Sequence, residues 1–239
     1  MSGTRFSPYQ VIPMLEAINT SLFSPIGDDG MIGILLILNG LKVTLIVTFF
    51  AMLLGAVLGV GTTLMKMSSK WYIRFPAEFY VGVIRGTPVV VQLVILYFIV
   101  LAALDVDKIT AAIIAFGLNS GAYISEIIRA GIQAVDKGQT EAARSLGLSQ
   151  AMTMKLIILP QAIKNILPAL GNEFIVLLKE TAVIGFIGGV DLMRAGEIIR
   201  SRTFEDSIPL FTCALIYLFL TYSFTFMLSK FEKRLKQSD

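Results

Sequence analysis

From Val43 through Met65 the chain carries no charged residue, and Lys42 and Lys66 bracket the run. About 20 consecutive apolar residues let a helix cross the hydrocarbon core of a bilayer. Inside lipid every backbone N–H and C=O must be satisfied within the segment, so the run is restricted to helix. Gly55, Gly59 and Gly61 give this first span a small-residue face for close helix contact. The rest of the chain obeys the same constraint. With 55% hydrophobic and 15% charged residues among 239, it reads as one all-α polytopic membrane domain without repeats or linkers.

Four further spans are predicted. The second, Gly86–Leu104, follows Lys66, Lys70 and Arg74, with Trp71, Tyr72 and Tyr80 as interfacial anchors. It opens on Arg85-Gly86-Thr87-Pro88, where Thr87 suits an N-cap and Pro88 the first helical position. That start is either a simple helix start or kink, or a set of amides aimed at an anion. The third span, Ile109 to about Ala130, places Asn119, Tyr123 and Glu126 on one face. A charge near the bilayer centre costs about 2.5–3.5 kcal/mol on insertion scales, so this face looks inward. The fourth, roughly Leu170–Val190, is interrupted by Glu173 and Lys179-Glu180-Thr181; the fifth, Ser207–Ser229, has no charge. Asp191–Asp206 holds room for a short surface helix.

Residues 1–34 read as an N-terminal interfacial segment, and Met1 to Gly30 lack the basic start, apolar core and small-residue cleavage site of a signal peptide. Val11, Leu15, Ile18 and Leu22, with Pro8 and Pro13 near the start, fit an interfacial helix or a packed leader. Most of the 20 Lys and Arg lie in the loop after the first span, in residues 129–164 and in the basic tail 231–239. The positive-inside rule places those segments in the cytosol and the amino terminus outside. The chain has no His, no Gly-Lys dipeptide and a single Cys, Cys213. His-dependent triads, a Walker A loop and a disulfide or Cys-rich metal site are therefore excluded.

The polar interruption 138–162 has its own punctuation. Thr140 can cap a short helix with Glu141 in its first turn and Arg144 in pairing range. Gly147 supplies a left-handed stop. Ser149 can cap a second helix through Ala151, Leu156 and Leu159, which Pro160 disrupts. Two short helices around a tight bend follow.

Glu141-Ala142-Ala143, Gly147, Ile157, Leu159 and Pro160 sit at the spacing E-A-A-x3-G-x9-I-x-L-P. This resembles the EAA loop in membrane subunits of binding-protein-dependent ABC importers, and the flanking sequence resembles the polar amino-acid branch. The resemblance covers residues 35–230. It implies the type I ABC importer permease fold, with a coupling loop formed by Glu141, Ala142, Ala143, Arg144, Gly147, Leu159 and Pro160. It further implies two permease subunits, alike or merely similar, in a prokaryotic plasma membrane. Each would carry a cytosolic ATPase holding ATP and Mg, and an extracytoplasmic binding protein would deliver an amino acid. No cofactor and no enzyme activity is expected on this chain.

An amino acid needs donors for its carboxylate and acceptors for its ammonium. Thr87, Gln92, Asn119, Tyr123, Glu126, Glu180 and Thr181 are the candidate path residues. Glu126, Lys179 and Glu180 can also form a charge network that only holds helices together. An ion-coupled amino-acid carrier using Glu126 and Glu180 is the alternative, weakened by the absence of an inverted repeat.

Overall fold

The computed structural model describes residues 14–26 and 30–236; the expectations for Pro8, Val11 and Pro13 fall outside them. Residues 14–18 are helical and pass into a π turn, Asn19–Phe23. A short antiparallel pairing of β1 (Pro25–Ile26) with β2 (Met31–Ile32) leads into α1 (Gly33–Lys66). Leu22 is buried against Leu36 and Leu192, whereas Leu15 is exposed. The first span is thus longer than the uncharged run, because residues 33–42 are apolar enough to extend the helix toward its N-terminus.

Helix α1 packs along α4 (Lys108–Gln133). A Cβ on Gly59 would lie 2.6 Å from Ile124, and one on Gly117 2.6 Å from Leu54. Gly55 approaches Ser120 in the same way, so glycine on each helix admits the other's side chains. Gly61 does not belong to this face: nothing lies within 4 Å of a Cβ placed there. Two residues beyond Gly59 on a 100° repeat, it points away from the contact.

The second predicted span is not a straight helix. Helix α2 (Trp71–Arg85) and α3 (Val89–Ile95) are bent against each other by 108°, and α3 ends in a π turn, Leu96–Val100. From Val89 to Val100 the rise is about 18 Å, too short to cross alone. Trp71 and Tyr72 are exposed, as anchors should be, but the Tyr80 hydroxyl donates to the Leu118 carbonyl of α4. Tyr80 is a helix–helix contact.

After α4 come α5 (Lys137–Ser145), α6 (Gln150–Thr153) and α7 (Leu159–Glu180). A 3-10 segment, Thr181–Ile187, then leads to α8 (Leu192–Thr203) and α9 (Ser207–Lys236). Among the described residues α1, α4 and α9 are long and apolar enough to cross a membrane, and α2 with α3 makes a fourth, bent candidate. The predicted fourth span starts earlier, at Leu159, and its helix stops at Glu180. At 22 residues α7 is long enough to cross, about 33 Å, but Lys164, Glu173, Lys179 and Glu180 lower its apolarity.

Three buried clusters hold the bundle. Phe116, Leu93, Val47, Leu177 and Ile184 form the central one. Ile37, Leu192, Ile199 and Cys213 close one end, where Gly40 meets the Asp191 backbone and Lys108 donates to the Gly188 carbonyl. Ile158, Ala162 and Ile166 close the other end beneath α5 and α6. The loop after α1 and the polar interruption therefore share one end, and the turn before α4 shares the opposite end with α8.

Candidate functional site

Helix α5 starts earlier than its sequence predicts. Asp136 is the N-cap, accepting from the Gly138 amide at 2.6 Å, which leaves Thr140 and Glu141 inside the helix. The Arg144 guanidinium donates to the Leu148 carbonyl at 2.5 Å instead of pairing with Glu141. Gly147 is left-handed, with φ +86°. The Leu148 amide reaches the Ala143 carbonyl (3.1 Å) and the Gly147 amide the Arg144 carbonyl (3.0 Å). Those two bonds are the Schellman closure that glycine permits. Ser149 caps α6, accepting from the Met152 amide at 3.2 Å.

Pro160 does not end the second helix. A π turn, Met154–Ile158, joins α6 to α7 with helical backbone at the junction. Pro160 sits in the first turn of α7, where a missing N–H is tolerated. The hairpin is rooted through Ile158, Ala162 and Ile166 on Ile127, Ile128 and Ile132 of α4. Gly131 permits this, since a Cβ there would lie 2.4 Å from Ile166. Ala143 faces inward, while Glu141, Ala142 and Arg144 face solvent and Leu146 is 85% exposed. Leu146 is thus an apolar residue held out at the tip of a self-closed turn. Sequence reading passed over Leu146, although it is the one large apolar side chain of the turn's outer surface.

Of the predicted path residues, most are brought together around the α2–α3 bend. The Thr87 hydroxyl donates to the Val83 carbonyl at 2.9 Å; it is not an N-cap, because α3 starts after Pro88. The Gln92 amide donates to the Ile84 and Thr87 carbonyls and accepts from Asn119. Arg85 lies over the Tyr123 ring at 5.4 Å and 3.6 Å from Glu126. Glu126 also pairs with Lys66 and, at 2.7 Å, with Arg129. The face Asn119–Tyr123–Glu126 thus grips the bend, and among the described residues Glu126 pairs with Lys66, Arg85 and Arg129 and not with the Lys179–Glu180 pair that a helix-holding network would use. A cleft of about 270 Å³ beside it is lined by Ile84, Val91, Gln92, Ile95, Ala115 and Leu118, nearly all apolar.

Glu180 and Thr181 lie apart from that cluster, at the end of α7. Thr181 is fully buried and donates to the Leu178 carbonyl at 2.8 Å. Glu180 makes no hydrogen bond among the described residues. Two turns earlier on the same face, Glu173 accepts from Ser120 at 2.8 Å and has no cationic partner among the described residues. Glu173 was read from sequence only as an interruption. Its seven-residue spacing from Glu180 was the available signal. No group of three or more His, Cys, Asp or Glu that could hold a metal ion occurs among the described residues.

A bundle of long apolar helices with a projecting hairpin rooted on two of them is the architecture of an ABC importer permease. Residues 51–237 match the family described as binding-protein-dependent transport system inner membrane component, and the chain belongs to that family. It is 44% identical over 205 residues to the arginine transport system permease protein ArtQ of Bacillus subtilis, covering 85% of this chain and 94% of that one. The glutamine transport system permease protein GlnP of Escherichia coli is 36% identical, over 84% and 93%. A crystal structure of an amino acid ABC transporter with histidines shares 51% identity at a TM-score of 0.80, over 83% and 94%. The fold is that of type I importer permeases, membrane subunits that work with an ATPase and a binding protein. The ion-coupled carrier alternative has no support among these relatives.

Proposed function

We propose that this chain forms the translocation pathway of an ATP-driven amino-acid importer, with the EAA hairpin in the cytosol as the coupling element. The observation that carries the reading is the hairpin itself, closed by Gly147 and welded to the inner ends of α4 and α7. A partner that moves the tip must move both helices. Residues 35–230 form the permease domain. Two such subunits, identical or similar, each engage one ATPase through Glu141, Ala142, Ala143, Arg144, Gly147, Leu159 and Pro160, with Leu146 as the apolar anchor. The carboxyl terminus is cytosolic and the amino terminus outside, in keeping with the basic residues gathered at the hairpin end.

The substrate runs past polar groups that no hydrogen bond among the described residues takes up: the Tyr123 hydroxyl and the Glu180 carboxylate. Glu173 lies between them in depth, since Ser120 is its partner. Glu173 has no cation beside it and Glu180 only the adjacent Lys179, so the pair favours a ligand's ammonium, or a basic side chain. Thr87, Gln92, Asn119, Glu126 and Thr181 frame this path.

The test is uptake into proteoliposomes holding the permease, its ATPase and a binding protein. Uptake should require internal ATP and external binding protein, and should survive a protonophore. Loss of uptake with the protonophore while ATP persists overturns the proposal.

A further inference from the structure

The end of an α-helix leaves its last carbonyls without an N–H partner. At the end of α2 three successive ones are accounted for. Gly82 accepts from the Gly86 amide at 3.0 Å and Val83 from the Thr87 hydroxyl at 2.9 Å. Ile84 accepts from the Gln92 side-chain amide at 2.7 Å. In an unbroken helix the donor to Ile84 would be the N–H of residue 88. Residue 88 is proline and has none. The same Gln92 nitrogen lies 3.0 Å from the Thr87 carbonyl and 2.8 Å from its hydroxyl oxygen. The Gln92 oxygen accepts from Asn119 of α4 at 2.9 Å. Every polar atom of the amide is used within the protein, beside a cleft whose lining is nearly all apolar.

We infer that Gln92 is a positioning residue, supplying the hydrogen-bond donor that Pro88 lacks and fastening the α2–α3 bend to α4 through Asn119. The bend then travels with α4 as one body. Since α4 is also a root of the hairpin, motion at the hairpin reaches Gly86-Thr87-Pro88 without slack. A carbonyl orphaned beside an apolar cleft is costly, so without the Gln92 amide the bend shifts to find another partner. Gln92 acts on transport through the backbone it holds and not through the substrate.

The test uses the whole importer in proteoliposomes and amino acids that the wild type takes up. Gln92→Leu should lower Vmax at least tenfold and leave each KM within twofold, equally for every substrate. Gln92→Glu, of the same shape but without the amide donors, should match Leu. Asn119→Leu should reproduce part of the defect and add little to Gln92→Leu, because both break one chain of bonds. If Leu prevents assembly, Gln92→Asn, one methylene short, carries the same readouts. A KM that rises for one substrate and not another makes Gln92 a substrate contact and overturns the inference. Full activity of Gln92→Leu, additive losses, or failure of both the Leu and Asn variants to assemble also overturns it.

Discussion

The chain interrupts its helices at two places built in opposite ways. At the hairpin, the backbone groups that are capped near the turn are met by residues close in sequence: Asp136, Gly147, Leu148 and Ser149. At the α2–α3 bend, the partners include Gln92 from across the bend and Asn119 and Glu126 from α4. The hairpin therefore holds its own shape and can present it to another protein. The bend meets its own carbonyls through Thr87 and Gln92, but Gln92 and Arg85 are held in turn by Asn119 and Glu126 of α4. An element that receives force benefits from the first construction, and one that must follow a neighbouring helix from the second.

If the hairpin is self-contained, its closure should be its most sensitive point. Gly147→Val places a β-branched residue at φ +86°, with nothing within 4 Å of its Cβ to clash. The strain is in the backbone alone, about 1–2 kcal/mol or more, and both Schellman bonds are at risk. The expected outcome is a chain that reaches the membrane, fails to co-purify with the ATPase and loses uptake. Gly147→Asn, which tolerates the left-handed region better, should retain part of both. Equal transport by wild type and the Val variant would remove the hairpin from coupling.

The bend should answer differently, through stability. Glu126 faces Lys66, Arg85 and Arg129, so Glu126→Gln leaves three cations without their shared carboxylate. Breaking such a cluster should cost about 3 kcal/mol, the low end for buried pairs because Arg85 and Arg129 stay partly exposed. The melting temperature of the purified complex should fall, and Lys66→Met in the same chain should recover part of the loss. An unchanged melting temperature with altered substrate preference would return Glu126 to the substrate path.

What the sequence made legible follows the same division. The EAA spacing, the Gly147 stop and the Ser149 cap depend on neighbours within a few residues, and each is present in the folded chain. The spans α1, α4 and α9 were legible because apolar length alone decides them. The polar face of α4 was found by helical spacing, yet its partners were not. Arg85, Lys66 and Gln92 reach it over 27–60 positions in sequence, and no local pattern encodes which of them will arrive. The bend itself was hidden because Pro88 reads equally as a first helical residue. Asp136 was missed for a smaller reason: Thr140, another good cap, lay nearby and closer to the EAA residues.

A single cap sharpens the contrast at lower cost. Ser149→Ala removes the acceptor for the Met152 amide and should destabilise α6 by about 1 kcal/mol. Because α6 continues through the π turn into α7, the helix persists and the effect stays local. Hydrogen exchange should quicken across residues 149–153 and remain unchanged at the bend. Faster exchange at residues 84–92 would mean that the two interruptions are not separate units.

The smallest effect is expected where a local cap asks only for an acceptor. Asp136 accepts from the Gly138 amide, and Asn is as good an N-cap as Asp. Asp136→Asn therefore keeps the bond and loses only the interaction of a charge with the helix dipole, about 0.3–1 kcal/mol at an exposed site. Salt would screen even that. Uptake and ATPase binding by this variant should stay near wild type, and Asp136→Ala should lose about 1 kcal/mol of hairpin stability. The matching change at the bend, Gln92→Glu, is also nearly isosteric, but it deletes donors to two carbonyls and is expected to abolish most transport. The comparison holds if one amide–carboxylate exchange is silent at the hairpin and severe at the bend. It fails if Asp136→Asn is as damaging as Gln92→Glu, because the hairpin would then depend on a partner charge and not on its own caps.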